Sequence, residues 1–302
     1  MKPKSVLYAC LLVVALQTQE TFSFQNVVPL KFLKSSPSAF LAASATTRQI
    51  APSSFQAKSQ RFPLFASTTD DESSGEVKLD TDAILKYAGA LAIQMGLFVA
   101  LFKGLDMAVA ASGIQVPFAA NCAFFYFFSL KSRVLNPLKN SRPNVSTKEI
   151  KDAEQRKMPS WTPPGFIFPI VWLLLIGPLR AATTALIYSV NGGVYASAAI
   201  LSLMLHLSIG DIWNTINNVE RRYGTSVLGI CFVYVSAAFA AFQYYQVMPL
   251  AGQLLALKLI WLTIASSLIV ATWTLNPNPK TGKKYSILPM TGEGSKTEFF
   301  WF

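Results

Sequence analysis

The sequence predicts an all-α fold, a polytopic transmembrane helix bundle, and three observations lead there. Hydrophobic residues make up 52% of the 302-residue chain and charged residues only 14%, against roughly 25% charged in an ordinary soluble domain. Beyond residue 69 the apolar residues gather into six segments, 84–103, 107–130, 166–189, 194–213, 227–245 and 250–273. Each has the ~20-residue length that carries a helix across a ~30 Å hydrocarbon core. Within each segment apolar residues occupy every face, as lipid demands and an amphipathic soluble helix lacks.

The first 69 residues read as addressing. Residues 1–23 set Lys2 and Lys4 before an apolar run of about a dozen residues and end on Thr21-Phe22-Ser23, the plan of a signal peptide. The competing reading, a membrane anchor, asks for ~20 apolar residues. Residues 24–69 hold no acid, five basic residues and abundant Ser, Ala and Thr, which is transit-peptide composition. The two together resemble the bipartite plastid leaders of algae with secondary plastids; the alternative is a polar tail on a secreted or mitochondrial protein. Asp70-Asp71-Glu72 ends the acid-free stretch, so the mature protein is expected to begin near it. The expected location is a plastid (chloroplast) membrane, multi-pass, with another endomembrane as the alternative.

The net charge of +11 would suit a nucleic-acid partner if it formed a patch, but it is segregated. The leader carries six of the eleven net charges. In the mature chain sixteen Lys and Arg fall at the start of the first segment, in 131–165, in 214–226 and after the last segment. The alternate connections, 104–106, 190–193 and 246–249, hold none. Such asymmetry orients spans with the basic loops on the cytoplasm-like side, which in a plastid is the stroma. The charge therefore reports topology, and no nucleic acid is expected as a partner. The stretch 131–160 also suits anionic lipid headgroups. One His and three scattered Cys exclude multi-His metal sites, zinc modules and a disulfide framework, and no metal is expected.

Before the third segment stands Pro159-Ser160-Trp161-Thr162-Pro163-Pro164-Gly165, followed by Phe166, Phe168 and Trp172. Paired prolines stiffen a loop and start a helix, because proline lacks an N–H that a helix N-terminus leaves unpaired anyway. This run resembles the loop and second helix of the TspO/translocator protein (TspO/MBR, peripheral benzodiazepine receptor) family. Ile212-Trp213 with Arg221-Arg222 and Gly224 is similar to the family's third-helix end. Leu254-Leu255, Trp261, Ala265 and Trp273 are similar to its fifth helix. The resemblance covers 107–276 and implies a five-helix TspO-like core plus one extra N-terminal transmembrane helix, 84–103. It implies a pocket for porphyrins and other hydrophobic ligands beneath the first loop, lined by the Trp172 and Trp261 pair, and a homodimer whose face no small-residue seam identifies; the expected ligand-binding residues are this pair with Trp161, Pro163, Pro164, Phe168, His206 and Ala265. The chain departs from the family pattern at Ile176, Gly210, Asn217-Asn218 and Leu257-Lys258, and at Val270 and Thr274 where the family has its sterol-associated residues.

Rise counting places Trp172 about 13 Å below the basic side and Trp261 about 16 Å from the other, both near the midplane. There they suit a flat conjugated ligand; the plain alternative is that they pack the bundle or face lipid. His206 either bonds a ligand, ligates a haem iron or bonds a neighbouring helix. Arg180 and Lys258 lie inside spans, where charge is expensive; they form an anion site or snorkel to the nearer interface. Asp211 is expected to pair with a loop Arg or Lys. The Asn144-Val145-Ser146 sequon is uninformative on a stromal face, and Phe299-Phe300-Trp301-Phe302 is expected to anchor at the interface or dock a partner.

Three functions remain open at this level. The first is a protein that binds, transports or scavenges hydrophobic ligands, foremost tetrapyrroles such as porphyrin or haem. The second is light-dependent porphyrin breakdown involving Trp172 or Trp261. The third is a structural or assembly role in plastid membrane complexes. No acid–base pair or nucleophile triad is visible, so hydrolytic catalysis is unsupported, and no cofactor is required.

Overall fold

A computed structural model describes residues 78–140, 156–279 and 281–300. The segments 1–23 and 24–69, the sequon at 144–146 and the terminal Trp301 and Phe302 lie outside the described residues. Six helical elements follow one another: α1 (Thr81–Ser112), α2 (Phe118–Lys131), α3 (Ile167–Val190), α4 (Ala198–Glu220), α5 (Tyr223–Val247) and α6 (Pro249–Leu275). All but α2 are long and apolar enough to cross a membrane. Among the described residues no β-strand forms, only the isolated bridges Leu79 to Met290 and Leu138 to Phe299.

The first turn of the chain lies later than expected. The triplet 104–106, read above as a connection, sits inside α1, whose 32 residues run on to Gly113. Gly113 stops the helix at φ 66°, a left-handed conformation that costs glycine little. Asp106 is the reason a charge is tolerated within that helix. Its carboxylate accepts the backbone N–H groups of Tyr195 at 2.6 Å and Ala196 at 3.0 Å, in the α3–α4 connection. The expected second span, 107–130, is thereby divided between the end of α1 and α2. At ~1.5 Å per residue, the 14 residues of α2 reach about 21 Å. The 3-10 turn Ser132–Leu135 adds about 8 Å at ~2 Å per residue, enough for a ~30 Å core.

In α3 the ladder widens to a π-turn over Val171–Ile176. Pro178 cannot donate to the carbonyl four residues back, and the Gly177 N–H reaches instead to the Trp172 carbonyl. The Leu173 carbonyl released by this shift accepts the Tyr126 hydroxyl of α2 at 3.1 Å. A second π-turn, Thr215–Glu220, extends α4 through most of the expected 214–226 loop. Arg221, left-handed at φ 58°, ends it. Only Arg221 and Arg222 then separate α4 from α5. In α6 the chain tightens at Leu257, with i to i+3 bonds from Leu257 N–H to Leu254 and from Ile260 N–H to Leu257, so Lys258 begins a new helical run.

Helix α4 is central: 61% of its span is buried, against 17% for the peripheral α1. It packs on α1 and α5, α2 packs on α3, and α5 packs on α6. The main core joins Phe98 and Phe102 of α1, Phe125 of α2, Tyr195, Leu203, Tyr244 and Leu255. A second core joins Ile230, Val233 and Ala237 of α5 to Leu262 and Ile269 of α6, with Trp172 and Trp213 against it.

The tail beyond α6 is a strap. Asp80 N–H donates to Pro289, Thr291 to Lys78, Lys139 to Glu298, Ser295 to Glu220 and Phe300 to Pro137. Phe299 packs on Ala90, Leu138, Ile212 and Ile216, so this ring of the expected interface anchor is spent inside the protein, while Phe300 is exposed. The start of α1, the 136–140 turn, the α4–α5 junction and the tail thus meet at one end. That is the arrangement the basic loops require.

Candidate functional site

The loop that enters α3 is held locally. Thr162 donates from both its backbone N–H and its hydroxyl to the Pro159 carbonyl, at 3.0 and 2.6 Å, and the Pro164 carbonyl accepts from Ile167 N–H. Trp161 stays half exposed on this loop; Pro163 is partly buried and Pro164 exposed. In the first turn of α3, Phe168 meets Trp261 of α6 edge to face, with ring centroids 5.6 Å apart. Trp172 follows four residues later and packs against the core that Ile230, Val233 and Ala237 of α5 form with Leu262 and Ile269 of α6. Ala265, one turn beyond Trp261, is partly buried. Phe168 and Trp261 therefore meet at the α3–α6 seam, Trp172 lies against the adjoining α5–α6 core, and Trp161, Pro163 and Pro164 remain on the loop that enters α3.

Close backbone packing between α3 and α6 is concentrated in Gly177–Val190 against Pro249–Ala256. Toward the basic side the seam is bridged by rings. The π-turn carries Trp172 at this opening, and the indole Nε1 of Trp261 is buried there without a hydrogen-bond partner among the described residues. π-Turns interrupt regular helix where side chains must be re-aimed, and they concentrate at functional sites.

Beneath the tryptophans lies a line of polar groups. The Arg180 guanidinium sits 5.1 Å from the Trp172 ring centroid, within cation–π range. Its Nη2 donates to His206 Nε2 at 3.4 Å. Since arginine can only donate, Nε2 is the acceptor and the other ring nitrogen carries the proton, donated from Nδ1 to Ser236 Oγ at 3.1 Å. Ser236 in turn donates to the Val233 carbonyl at 3.0 Å. Both nitrogens of His206 are thus engaged with neighbouring helices. Arg180 is 6% exposed and Lys258 1%, so neither snorkels. Lys258 Nζ and Arg180 Nε have no hydrogen-bond partner among the described residues.

Of the 131–165 connection, Arg133 bears on Asp211 through its charge, while the hydrogen bonds of Asp211 go to polar neighbours. Its Oδ2 accepts Gln94 Nε2 at 2.8 Å and Ser132 Oγ at 2.9 Å. Gln94 also donates to the Ser132 carbonyl and accepts Asn136 Nδ2 at 2.9 Å. This buried amide cluster, which ties α1 to α4, escaped sequence reasoning; the available signal was an amide in the middle of an apolar run. Ser236 escaped for a different reason, since nothing in its own neighbourhood marks it as a partner for a residue thirty positions away. Separately, an apolar groove of about 350 Å³ lies between α2 and α3, lined by Cys122, Tyr126, Pro178 and Ala181, and holds none of the expected site residues.

A family model described as TspO/MBR family matches residues 134–274, from the 3-10 turn that follows α2 to the last turn of α6. The chain is 26% identical over 129 residues to Protein CrtK of Rhodobacter capsulatus, covering 41% of this chain and 78% of that protein. It is 29% identical over 129 residues to the Translocator protein of Homo sapiens, covering 42% and 75%. It is 24% identical over 120 residues to the Tryptophan-rich sensory protein of Cereibacter sphaeroides, covering 40% and 73%.

Proposed function

Because residues 134–274 of this membrane-spanning chain belong to the TspO/MBR family, we propose that the bundle binds a hydrophobic ligand of the tetrapyrrole class, porphyrin or haem, between α3 and α6. The observation that carries the reading is the aromatic seam. Phe168 meets Trp261 where close backbone packing of the two helices gives way, and Trp172 packs on the adjoining α5–α6 core. Flat conjugated rings gain from offset or edge contacts with such side chains beyond the area they bury, and binding sites between bundle helices are lined in this way. The address read from residues 1–69 supports the same class, since plastids make tetrapyrroles. Carriage of the ligand across or within the membrane belongs to this proposal, as does pairing of two copies.

Titration of the mature protein in detergent micelles with protoporphyrin is expected to quench tryptophan emission saturably. Trp172→Phe and Trp261→Phe are each expected to weaken that affinity. Equal affinity in both variants and the wild type would remove the seam as the site.

A further inference from the structure

We infer that Arg180 and Lys258 form an anion subsite in the membrane interior, which recognises a carboxylate carried by the ligand. This deepens the proposed function and rests on the α3–α6 seam being the ligand site.

Two cationic side chains, one on α3 and one on α6, are buried where hydrocarbon surrounds the bundle. A charge in that setting costs several kcal/mol unless it is paired. Here the pairing is missing. Among the described residues neither side chain is in an ion pair. The acid that bears on Arg180 is Asp211, whose Oδ2 already accepts Gln94 and Ser132. Lys258 feels Arg180, a like charge. Instead of compensation there are free donors: Arg180 Nε, Lys258 Nζ and Trp261 Nε1 are all buried without hydrogen-bond partners among the described residues. Lys258 and Trp261 are three residues apart and share a face of α6.

The surroundings hold Arg180 in place without satisfying it. Trp172 covers the face of its guanidinium and His206 takes Nη2. Its Nε lies in the guanidinium plane, where carboxylates are gripped. A planar acceptor with a full negative charge suits such a set; a neutral polar group would leave the charge uncompensated. The neighbouring aromatic seam asks for an apolar body. The ligand is therefore an amphiphile with a carboxylate at the depth of Arg180, the propionate of a porphyrin or the headgroup of a long-chain acid.

The test uses two acid and ester pairs on the whole mature protein in neutral detergent: protoporphyrin with its dimethyl ester, and a fluorescent polyene fatty acid with its methyl ester. Each acid is expected to bind about tenfold or more tightly than its ester, as for one charge-assisted hydrogen bond. Lys258→Met and Arg180→Gln are each expected to bring the acid-to-ester affinity ratio down to about one. Thermal unfolding and ester binding identify a variant that fails to fold, and the wild-type acid-to-ester ratio stands without the variants. If protoporphyrin and its ester bind equally, the subsite is overturned and the tetrapyrrole reading survives. If no porphyrin binds but the fatty acid does and depends on both cations, the subsite stands and the tetrapyrrole reading falls. If neither acid binds, both are overturned.

Discussion

Replacing Asp80 by Asn or by Ala separates two jobs that one carboxylate performs where α1 joins the bundle. Oδ1 caps α1 by accepting the Ala83 N–H at 3.0 Å, and Oδ2 receives Arg222 Nη2 at 2.6 Å. An N-cap is worth about 1 kcal/mol, and asparagine caps as well as aspartate. A hydrogen bond to a charged group is worth about 1.5–3 kcal/mol. Arg222 is only 3% exposed, yet it keeps Glu220 at 3.3 Å, which favours the lower half of that range. Asp80→Asn should then cost about 1.5–2 kcal/mol and Asp80→Ala about 2.5–3 kcal/mol. At about 2–4 °C per kcal/mol for a chain of this size, thermal unfolding in detergent should fall by about 3–8 °C and 5–12 °C respectively. Hydrogen exchange across 81–84 should rise more in the Ala variant.

The pH dependence gives an independent check. Partial burial pushes the Asp80 carboxyl up, but the Ala83 amide and Arg222 outweigh it and hold it below the ordinary carboxylate value. A group lowered in the folded state stabilises above its unfolded value, near 3.9. That contribution is lost as pH falls through the folded value. The wild type should therefore lose its advantage over Asp80→Asn below about pH 4, where the two melting curves converge. Equal losses for Asn and Ala at neutral pH, with wild type and Asn variant running parallel down to acid, would refute this division of labour.

Three further outcomes test other joints. A methyl group at Gly177 would stand 2.9 Å from the Tyr126 ring and 3.0 Å from the Trp172 carbonyl, so Gly177→Ala should shift Trp172 emission, whereas Tyr126→Phe should cost only about 1 kcal/mol in a melting experiment. A side chain at Gly224 would collide with the backbone carbonyl of Ser286; Gly224→Ala should lift the strap, seen as faster exchange at Ser295 with little change in the α5–α6 core. Asp211→Leu strands Gln94 and Ser132, at about 1–3 kcal/mol for each unpaired group, and should lower the melting temperature more than Asp211→Asn, which keeps an acceptor.

The spans from α3 to α6 were legible because lipid imposes one rule over twenty residues at a time. The position of Trp172 on α3 was legible because the doubled proline fixes where α3 begins. The turn after α1 was misplaced because Gly104 and Asp106 look like a connection when read locally. Their helical setting depends on the amides of Tyr195 and Ala196, ninety residues away. Separation along the chain also hid the roles of Ser236, 30 residues from His206, and Gln94, 117 residues from Asp211. Arg221 and Arg222 read as loop markers and do end α4, but Glu220 and the preceding asparagines sit in a π-turn that no periodicity in the sequence announces. The tail's aromatic residues read as an interface anchor because Phe suits both lipid and protein; Leu138 and Ile216 decide for Phe299.

Moving that first turn by about nine residues left the alternation of ends intact, since α1 and α2 still point in opposite directions. The bonds that gather Lys78, Lys139, Glu220 and Ser295 at one end then explain why that end carries the basic residues in another way than sidedness alone. Arg222 is used by Asp80 and Glu220, Lys86 by Asp82 and the Thr297 carbonyl, and Lys139 by Glu298. Other cations at this end are used by amides, Arg133 by Asn140 and Asn214 and Arg156 by Asn217. Among the described residues Arg180 Nε and Lys258 Nζ have no such partner, which is why the same residue types carry a different meaning a few turns deeper. At the basic end a cation reports topology; inside the bundle an unpaired one reports what the bundle is built to receive.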